Sequence, residues 1–249
     1  MNQTQPTTSP SDARSRTEVI ERLHRRYGNS RQAKARYLWK KYAWLLVTGG
    51  ARGLKRLLDL VGSAAGLLLL SPLLVLVALA IKLYDRGPVL FWQVRVGQYG
   101  REFPFPKFRS MMVNADALKD QLLEQSDHGQ SVTFKMKRDP RITPVGRIIR
   151  KLSIDELPQL WCVLIGDMSL VGPRPPVPRE VALYTLSDRR RLDVIPGLTC
   201  IWQVEGRGDI PFDQQVKLDL DYIESQSLWM DIKLLFRTVP AVLLGKGAY

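Results

Sequence analysis

The longest hydrophobic pattern in the chain runs from Leu57 to Leu83, and the 22 residues from Leu60 to Ile81 carry no charged side chain. A helix of this length crosses a hydrocarbon core of about 30 Å. The segment lies too far from the N-terminus, and is too long, to be the core of a signal peptide. The pattern therefore predicts a membrane helix. The alternative is a buried core helix, although such a helix normally shows a polar stripe.

Two features of this segment favour a re-entrant hairpin over a simple crossing. Ser71 and Pro72 lie near its middle, where proline removes a backbone donor, so a kink or a break in the helix is expected. Basic residues, which favour the cytoplasmic side of a membrane, flank the segment before and after: Arg52, Lys55 and Arg56, then Lys82, Arg86 and Arg95. A helix-break-helix that returns to its entry face satisfies both flanks.

Composition divides the rest of the chain. Residues 1–17 are rich in Ser, Thr and Pro and are predicted to be a disordered tail. Residues 18–54 form a basic amphipathic extension whose closing aromatic residues suit a membrane interface or an ordinary solvated helix face. Residues 55–86 are the membrane anchor. Residues 87–249 form a separate domain, and its last helical pattern, 228–244, fits either the core or the bilayer surface.

Shorter patterns follow Gly87 and Pro88. Residues 89–96 and 103–108 are β-prone and enclose a turn, which predicts a hairpin. Residues 111–125 and 145–152 are predicted to be helical, with a short strand at 132–136. The expected fold class is α+β: a mostly helical, membrane-associated domain with a small β-hairpin or sheet and the re-entrant membrane helix.

The segment SIDELPQL, residues 153–160, begins the clearest amphipathic helix of this domain. Its predicted buried stripe consists of Leu157, Leu160, Trp161 and Leu164, and Gly166 is a natural end. Asp155 and Glu156 then lie in the first turn, where Pro158 is tolerated. Ser153 and Glu156 also have the spacing of a capping box, so the acidic residues either cap the helix or carry out chemistry.

Charge and composition narrow the classes of function. The chain has 37 Lys and Arg against 24 Asp and Glu, a net charge of +13, which indicates a polyanionic partner: nucleic acid, anionic lipid or a phosphorylated small molecule. Cys162 and Cys200 lack a CxxC spacing, and His24 and His128 stand apart from other metal-ligand residues. A disulfide framework, a structural zinc site and a histidine-dependent triad are therefore not expected.

Loop arginines are the second candidate feature. Pro173 and Pro175 hold the backbone around Arg174 extended, which presents that side chain rigidly. A pre-positioned guanidinium suits bidentate phosphate binding. Arg207 lies in a later loop.

Four motifs in order together resemble one known family, the bacterial sugar transferases called monotopic phosphoglycosyl transferases. They are KFRSM (107–111), SIDELPQLWCVLIGDMSLVGPRPP (153–176), PGLTCIWQVEGR (196–207) and LDLDYI (218–223). The resemblance runs from about Lys55 to the C-terminus and includes the Ser-Pro pair of the membrane helix.

The resemblance implies an enzyme that moves a sugar 1-phosphate from a UDP-sugar to polyprenyl (undecaprenyl) phosphate and releases UMP. Such a reaction begins exopolysaccharide or other glycan synthesis at the cytoplasmic face of the bacterial inner membrane. The expected partners are these two substrates and anionic lipid, without nucleic acid, and a homo-oligomer is an open possibility. The sugar expected is galactose or glucose.

The resemblance also assigns roles to residues. Asp155 would be the nucleophile that forms a covalent phosphosugar intermediate, and Glu156 would help hold Mg²⁺. The implied substrate- and phosphate-binding set is Lys107, Arg109, Arg150, Arg174, Arg207 and Asp219. The chemistry is coherent, because fixed cations cancel the repulsion between an attacking carboxylate and a diphosphate.

A non-catalytic alternative remains at this point. A basic membrane-anchored module that recruits nucleic acid or a partner would also explain the net charge and the basic N-terminal extension. It would leave Asp155, Glu156 and the Pro-Arg-Pro segment unexplained. Multi-span lipid phosphotransferases would need several hydrophobic segments, whereas the sequence has one.

Overall fold

The computed structural model describes residues 31–113, 115 and 139–244. Contacts divide the chain into two units, Met1–Gly53 and Leu54–Tyr249. The predicted tail at 1–17, the strand at 132–136 and nearly all of the helix at 111–125 lie outside the described residues. The proposed domain boundaries therefore stay predictions.

The hydrophobic segment lies in one long helix, α1 (Arg31–Asp85). Its part from Gly49 to Asp85 is long and apolar enough, with a mean hydropathy of 2.6, to cross a membrane. The expected break is not observed, since the helix continues through Ser71 and Pro72. Pro72 cannot donate to the Leu68 carbonyl, but the Ser71 hydroxyl donates to that oxygen at 2.7 Å. Whether the segment returns to its entry face stays a prediction.

One side of α1 packs against the domain along most of the apolar segment. Leu58, Leu67 and Leu70 contact one core cluster, and Leu73, Leu74 and Ala78 contact a second one. The opposite side exposes Leu57, Val61, Leu68, Leu69, Leu76 and Leu83. The sequence is apolar on both sides, so only the packing reveals which side contacts the domain.

Polar side chains fix the beginning of the packed part of α1. The Lys55 ammonium donates to Asp231 Oδ2 at 2.7 Å and to the Val171 carbonyl at 3.0 Å. The Tyr222 hydroxyl donates to Asp231 Oδ1 at 2.7 Å. Asp231 is 1% exposed, so this is a buried ion pair with both carboxylate oxygens occupied.

Arg56 and Asp59 continue this attachment. Arg56 donates to the carbonyls of Val163 and Leu164, at 2.7 and 2.8 Å. Asp59 accepts from the Leu170 backbone amide at 2.9 Å. These charged side chains are therefore used to hold α1 against backbone groups of the domain.

The rest of the described chain is mostly helical with little sheet, as expected for the predicted α+β class. The antiparallel hairpin is confirmed as β1 (Leu90–Val96) and β2 (Glu102–Phe108). A second small sheet pairs β3 (Ser169–Val171) in parallel with β4 (Gly197–Thr199). The helices are α2 (Pro144–Lys151), α3 (Leu160–Ile165), α4 (Pro178–Val181), α5 (Leu186–Arg189), α6 (Ile201–Glu205), α7 (Phe212–Ser225) and α8 (Leu228–Leu244).

Beside the second sheet, two glycines bring the backbones unusually close. A Cβ atom on Gly197 would lie 2.0 Å from the Gly172 nitrogen, a distance that no side chain can occupy. The Gly197 amide donates to the Pro173 carbonyl at 2.8 Å, and the Gly172 amide donates to the Thr199 carbonyl at 3.0 Å. This contact fixes the backbone immediately before Arg174.

Candidate active site

Asp155 and Glu156 lie in a tight turn before α3. Residues Ile154–Gln159 form a 3₁₀ helix, and regular α-helix begins only at Leu160. Pro158 explains the delay, because its nitrogen cannot donate to the Ile154 carbonyl. Gly166 ends α3 with a φ of 99°, as the sequence predicts.

The predicted buried stripe of this helix is partly wrong. Trp161 is 52% exposed, whereas Leu160, Cys162 and Val163 are buried. The reason is that the 3₁₀ turn shifts the angular position of each following residue relative to one continuous α-helix.

The capping interpretation of Ser153 and Glu156 is also wrong. Ser153 adopts a left-handed conformation with a φ of 54°, and its side chain makes no capping hydrogen bond. Glu156 Oε1 instead accepts from Arg174 Nη2 at 2.7 Å. The glutamate carboxylate therefore binds the loop arginine that follows β3.

A cavity of about 610 Å³ lies over this turn. It is lined by seven of the eight site residues inferred from the resemblance: Lys107, Arg109, Arg150, Asp155, Glu156, Arg174 and Arg207. Residues distant in sequence, from β2 to the loop after α6, thus meet around one space that could hold a ligand.

Asp155 differs from the other carboxylates that line this cavity in its lack of a hydrogen-bond donor within the described part of the chain. Among the described residues, none donates a hydrogen bond to it. Burial, and then the adjacent Glu156 carboxylate, raise the pKa of Asp155 to about 7, while Arg150, Lys107 and Arg174 act in the opposite direction. The oxygens of Asp155 are therefore left for a ligand, with three cations nearby.

Arg174 is the cation most closely tied to the acid pair. Burial alone would raise the pKa of Glu156, but Arg174 brings the pKa of that carboxyl below its usual range. Pro173 and Pro175 on either side of Arg174 are themselves almost fully buried, so the loop is packed into the domain at this point. The Arg174 guanidinium is thus held at the cavity by Glu156, and its backbone lies between two buried prolines.

Lys107 projects from β2, and its ammonium lies 5.2 Å from the centre of the Phe91 ring. Burial, and then the nearby charge of Arg95, lower the pKa of Lys107 to about 8. Arg207 adopts a left-handed conformation with a φ of 51°. Burial lowers the pKa of Arg207, whereas Glu156 and Asp155 raise it, so this guanidinium also lies near the acid pair.

Arg109 and Asp219 are each paired with another charged residue of the protein. Arg109 is 6% exposed and forms an ion pair with Asp85 at the end of α1, so its charge is already compensated. Asp219 is fully buried and is not among the described residues that line the cavity. It accepts from Arg191 Nε at 2.8 Å, and Arg191 is the residue that lines the cavity. Asp219 is therefore placed to support Arg191.

Sequence reasoning missed four cavity arginines: Arg95, Arg141, Arg179 and Arg191. Arg95 carried a usable signal, since Phe91, Gln93 and Arg95 alternate on one face of a predicted strand. Arg191 carried none, because it lies in a run of three arginines that resembles a solvated surface. Its burial depends on Asp219, 28 residues away.

The side chains that could bind a metal ion at this cavity are carboxylates. Among the described residues, no group of three or more His, Cys, Asp or Glu side chains could hold one. Asp155 and Glu156 are adjacent carboxylates in the cavity, and Mg²⁺ commonly binds one or two carboxylates together with substrate phosphates. The residues fit a metal shared with a substrate, and they do not form a complete protein cage.

Comparison with known proteins identifies the family. The model of the family described as bacterial sugar transferase matches residues 50–245. The chain belongs to the bacterial sugar transferase family. The match begins within α1 and ends just beyond the last described residue of α8. It therefore includes both the apolar helix and the cavity.

Individual relatives within the bacterial sugar transferases differ in length. The galactosyl transferase CpsE of Streptococcus agalactiae is 49% identical over 197 residues, which are 78% of this chain and 43% of that protein. The exopolysaccharide production protein ExoY of Rhizobium meliloti is 39% identical over 198 residues, 78% of this chain and 88% of ExoY. The chain thus spans less than half of the streptococcal relative.

A third relative has a name that specifies a reaction. The UDP-glucose:undecaprenyl-phosphate glucose-1-phosphate transferase of Caulobacter vibrioides is 43% identical over 203 residues, 78% of this chain and 72% of that protein.

Proposed function

We propose that this protein transfers a sugar 1-phosphate from a UDP-sugar to polyprenyl (undecaprenyl) phosphate and releases UMP. The observation that carries the proposal is the Asp155 carboxylate, which accepts no hydrogen bond from the described residues and lines a cavity beside Lys107, Arg150 and Arg174. The Caulobacter relative is named for this kind of transfer. The reaction would begin an exopolysaccharide or another glycan.

In the first step, an oxygen of Asp155 attacks the phosphorus that carries the sugar. The bond from that phosphorus to the bridging oxygen breaks, and UMP leaves with the electron pair. The product on the enzyme is a phosphosugar joined to the aspartate as an acyl phosphate. Lys107, Arg150 and Arg174 lower the repulsion between the carboxylate and the diphosphate and stabilise charge on the phosphoryl oxygens.

In the second step, a phosphate oxygen of the polyprenyl phosphate attacks the same phosphorus. The bond to Asp155 breaks and the carboxylate is regenerated, so the lipid diphosphate sugar forms without an external base. Glu156, with Asp155 nearby, would hold Mg²⁺, which when bound neutralises charge on the phosphate oxygens. Arg174 keeps the Glu156 carboxylate oriented through the hydrogen bond at 2.7 Å.

The proposed site lies on the cytoplasmic face of the inner membrane, with α1 as a re-entrant anchor. Support comes from both ends of the apolar segment, which contact the same domain: Lys55 reaches the Val171 carbonyl, and Asp85 pairs with Arg109. Single cysteines at positions 50 and 90, in a chain lacking Cys162 and Cys200, should label from the same side of the membrane. Labelling from opposite sides would rule out the re-entrant anchor.

The central test is UMP release by the membrane-embedded protein from a panel of UDP-sugars, with Mg²⁺ and undecaprenyl phosphate. UDP-galactose or UDP-glucose is expected to give the highest rate. Asp155→Asn should abolish UMP release and the trapping of labelled sugar phosphate on the protein. The matched control is Asp167→Asn, an acid paired with Arg101 outside the cavity. Absence of UMP release by the wild type with every donor would favour a recruitment module instead.

A further inference from the structure

One face of the β1–β2 hairpin lines the cavity with alternating residues. Phe91, Gln93 and Arg95 lie on this face of β1, and the pairing register places Phe91 opposite Lys107 and Gln93 opposite Phe105. Side chains two residues apart on a strand lie on the same face. The hairpin therefore presents two cations, Arg95 and Lys107, to the same space.

Arg95 is held entirely by neutral groups. Its Nη1 donates to the Pro175 carbonyl at 2.8 Å, and its Nη2 donates to Gln93 Oε1 at 2.8 Å. Its guanidinium carbon lies 5.0 Å from the centre of the Phe105 ring. Its buried Nε has no hydrogen-bond partner among the described residues.

No carboxylate within the described part of the chain forms an ion pair with Arg95. Three other arginines at the cavity differ in this respect, since Arg109, Arg141 and Arg191 pair with Asp85, Asp139 and Asp219. Arg95 does not lack an ion pair because it is far from the acidic residues of the cavity. It donates to the carbonyl of Pro175, the residue after Arg174, which binds Glu156.

The surroundings of Arg95 are unfavourable for an uncompensated charge. Burial, followed by the charge of Arg174, lowers the pKa of Arg95 to about 10, although the carboxylates of Glu180 and Glu156, which form no ion pair with it, compensate its charge in part. Lys107 is in a similar situation, although Asp155 partly compensates its charge. A partly buried cation beside other cations is costly unless an anion completes the site.

We propose that Arg95 is a phosphate-binding residue of this site, and that with Lys107 it holds a substrate phosphate against the hairpin. The inference rests on the proposed function, which brings two kinds of phosphate to the cavity: the diphosphate of the donor and the phosphate of the lipid. Both offer the oxygens that a guanidinium binds through charge-assisted hydrogen bonds. The ring of Phe105 and the Pro175 carbonyl hold the guanidinium in position beforehand.

The test uses the full chain in lipid nanodiscs and three variants: Arg95→Met, Arg95→Lys and the control Arg101→Met. Arg101 follows the hairpin turn, but its side chain is 79% exposed and pairs with Asp167. Dissociation constants are measured for UMP and for farnesyl phosphate, a short prenyl phosphate. Arg95→Met should weaken binding of at least one ligand about 10- to 100-fold, which corresponds to one lost charge-assisted contact. Arg101→Met should stay within about twofold, since an exposed pair contributes little.

The two ligands distinguish the source of the phosphate. Weaker binding of UMP alone assigns Arg95 to the donor, weaker binding of farnesyl phosphate alone assigns it to the lipid, and weaker binding of both indicates a shared phosphate position. Affinities equal to those of the wild type for both ligands would overturn the inference.

Arg95→Lys keeps a cation and serves if Arg95→Met fails to fold. It should bind the affected ligand more tightly than Arg95→Met and more weakly than the wild type. Wild-type affinity for both ligands in a folded Arg95→Lys variant would then count against the inference. Failure of the wild type to release UMP contradicts the proposed function separately, because ligand affinities are measured without turnover.

Discussion

Two buried aspartates, Asp231 and Asp155, show opposite uses of the same side chain. Asp231 beneath α1 has both oxygens occupied, by the Lys55 ammonium and the Tyr222 hydroxyl. Asp155 accepts nothing from the described residues, adjoins another carboxylate and lines a cavity. Burial alone therefore does not identify a functional acid. A carboxylate whose hydrogen bonds are filled by the protein supports the fold, whereas an unfilled one is available for a substrate.

Asp59 and Asp219 also bind the protein, but each does so through one oxygen, and the buried Oδ1 of Asp219 has no hydrogen-bond partner among the described residues. Asp59 accepts from a hydroxyl and from a backbone amide of β3, and Asp219 accepts from Arg191. Both are at most 4% exposed. Each fixes a neighbouring segment of the site, β3 in the first case and Arg191 in the second.

The largest stability effect should come from replacing Asp231 by asparagine, whereas the same replacement at Asp155 should affect activity. Asp231→Asn leaves the buried Lys55 without its counter-ion, so we expect the free energy of unfolding to fall by about 3 kcal/mol. Asp155→Asn removes no protein hydrogen bond and relieves repulsion with Glu156, so stability should be unchanged or higher while activity is lost. Thermal unfolding in detergent and UMP release are measured on both variants. Asp231→Asn should lower the unfolding temperature, and Asp155→Asn should abolish UMP release without lowering that temperature.

A smaller effect should come from the backbone contact that fixes the Arg174 loop. Gly197→Ala would place a methyl group 2.0 Å from the Gly172 nitrogen, and the strands must separate to relieve it. We expect a loss of about 2 kcal/mol in the free energy of unfolding. Gly53→Ala is the control, since nothing lies within 4 Å of its added Cβ and it lies inside a helix, where alanine is favoured. Equal unfolding temperatures for the two variants would show that the contact is unimportant.

The smallest effect should come from the exposed ion pairs. Arg190 and Glu224 lie 3.0 Å apart, yet their side chains are 52% and 61% exposed. Arg190→Gln should change the free energy of unfolding by less than about 0.5 kcal/mol, because solvent and salt screen such a pair. Comparing this variant with Asp231→Asn measures how much burial adds to an ion pair. A loss similar to that of Asp231→Asn would contradict the distinction.

Local patterns predicted part of the fold. The hairpin, the long apolar helix, the helix near residue 145 and the end of α3 at Gly166 follow from periodicity and turn residues. The failure of the predicted capping box did not follow from local patterns, because Ser153 and Glu156 have the right spacing but Arg174, 18 residues after Glu156, binds the glutamate instead. The helix continues through Pro72, where the Ser71 hydroxyl donates to the Leu68 carbonyl. A hydropathy profile does not predict this side-chain hydrogen bond.

The candidate site was accessible mainly through resemblance to the family. The sequence spacing alone did not decide whether Asp155 stabilises the helix start or reacts with a substrate. What separates those uses is a set of long-range contacts: Arg150, Lys107 and Arg174 come together only when three segments fold over one cavity. For the same reason Arg191 was missed, and the position of Asp219 behind Arg191 was not predicted.

Ser71, the residue before Pro72 in α1, matters for a helix surrounded by lipid hydrocarbon. In hydrocarbon no water can satisfy an orphan carbonyl, so a proline normally leaves a backbone oxygen stranded at a cost of several kcal/mol. Here the Ser71 hydroxyl saturates the Leu68 oxygen. A membrane-embedded α1 would therefore carry a proline at this position without exposing an unpaired Leu68 carbonyl to the lipid.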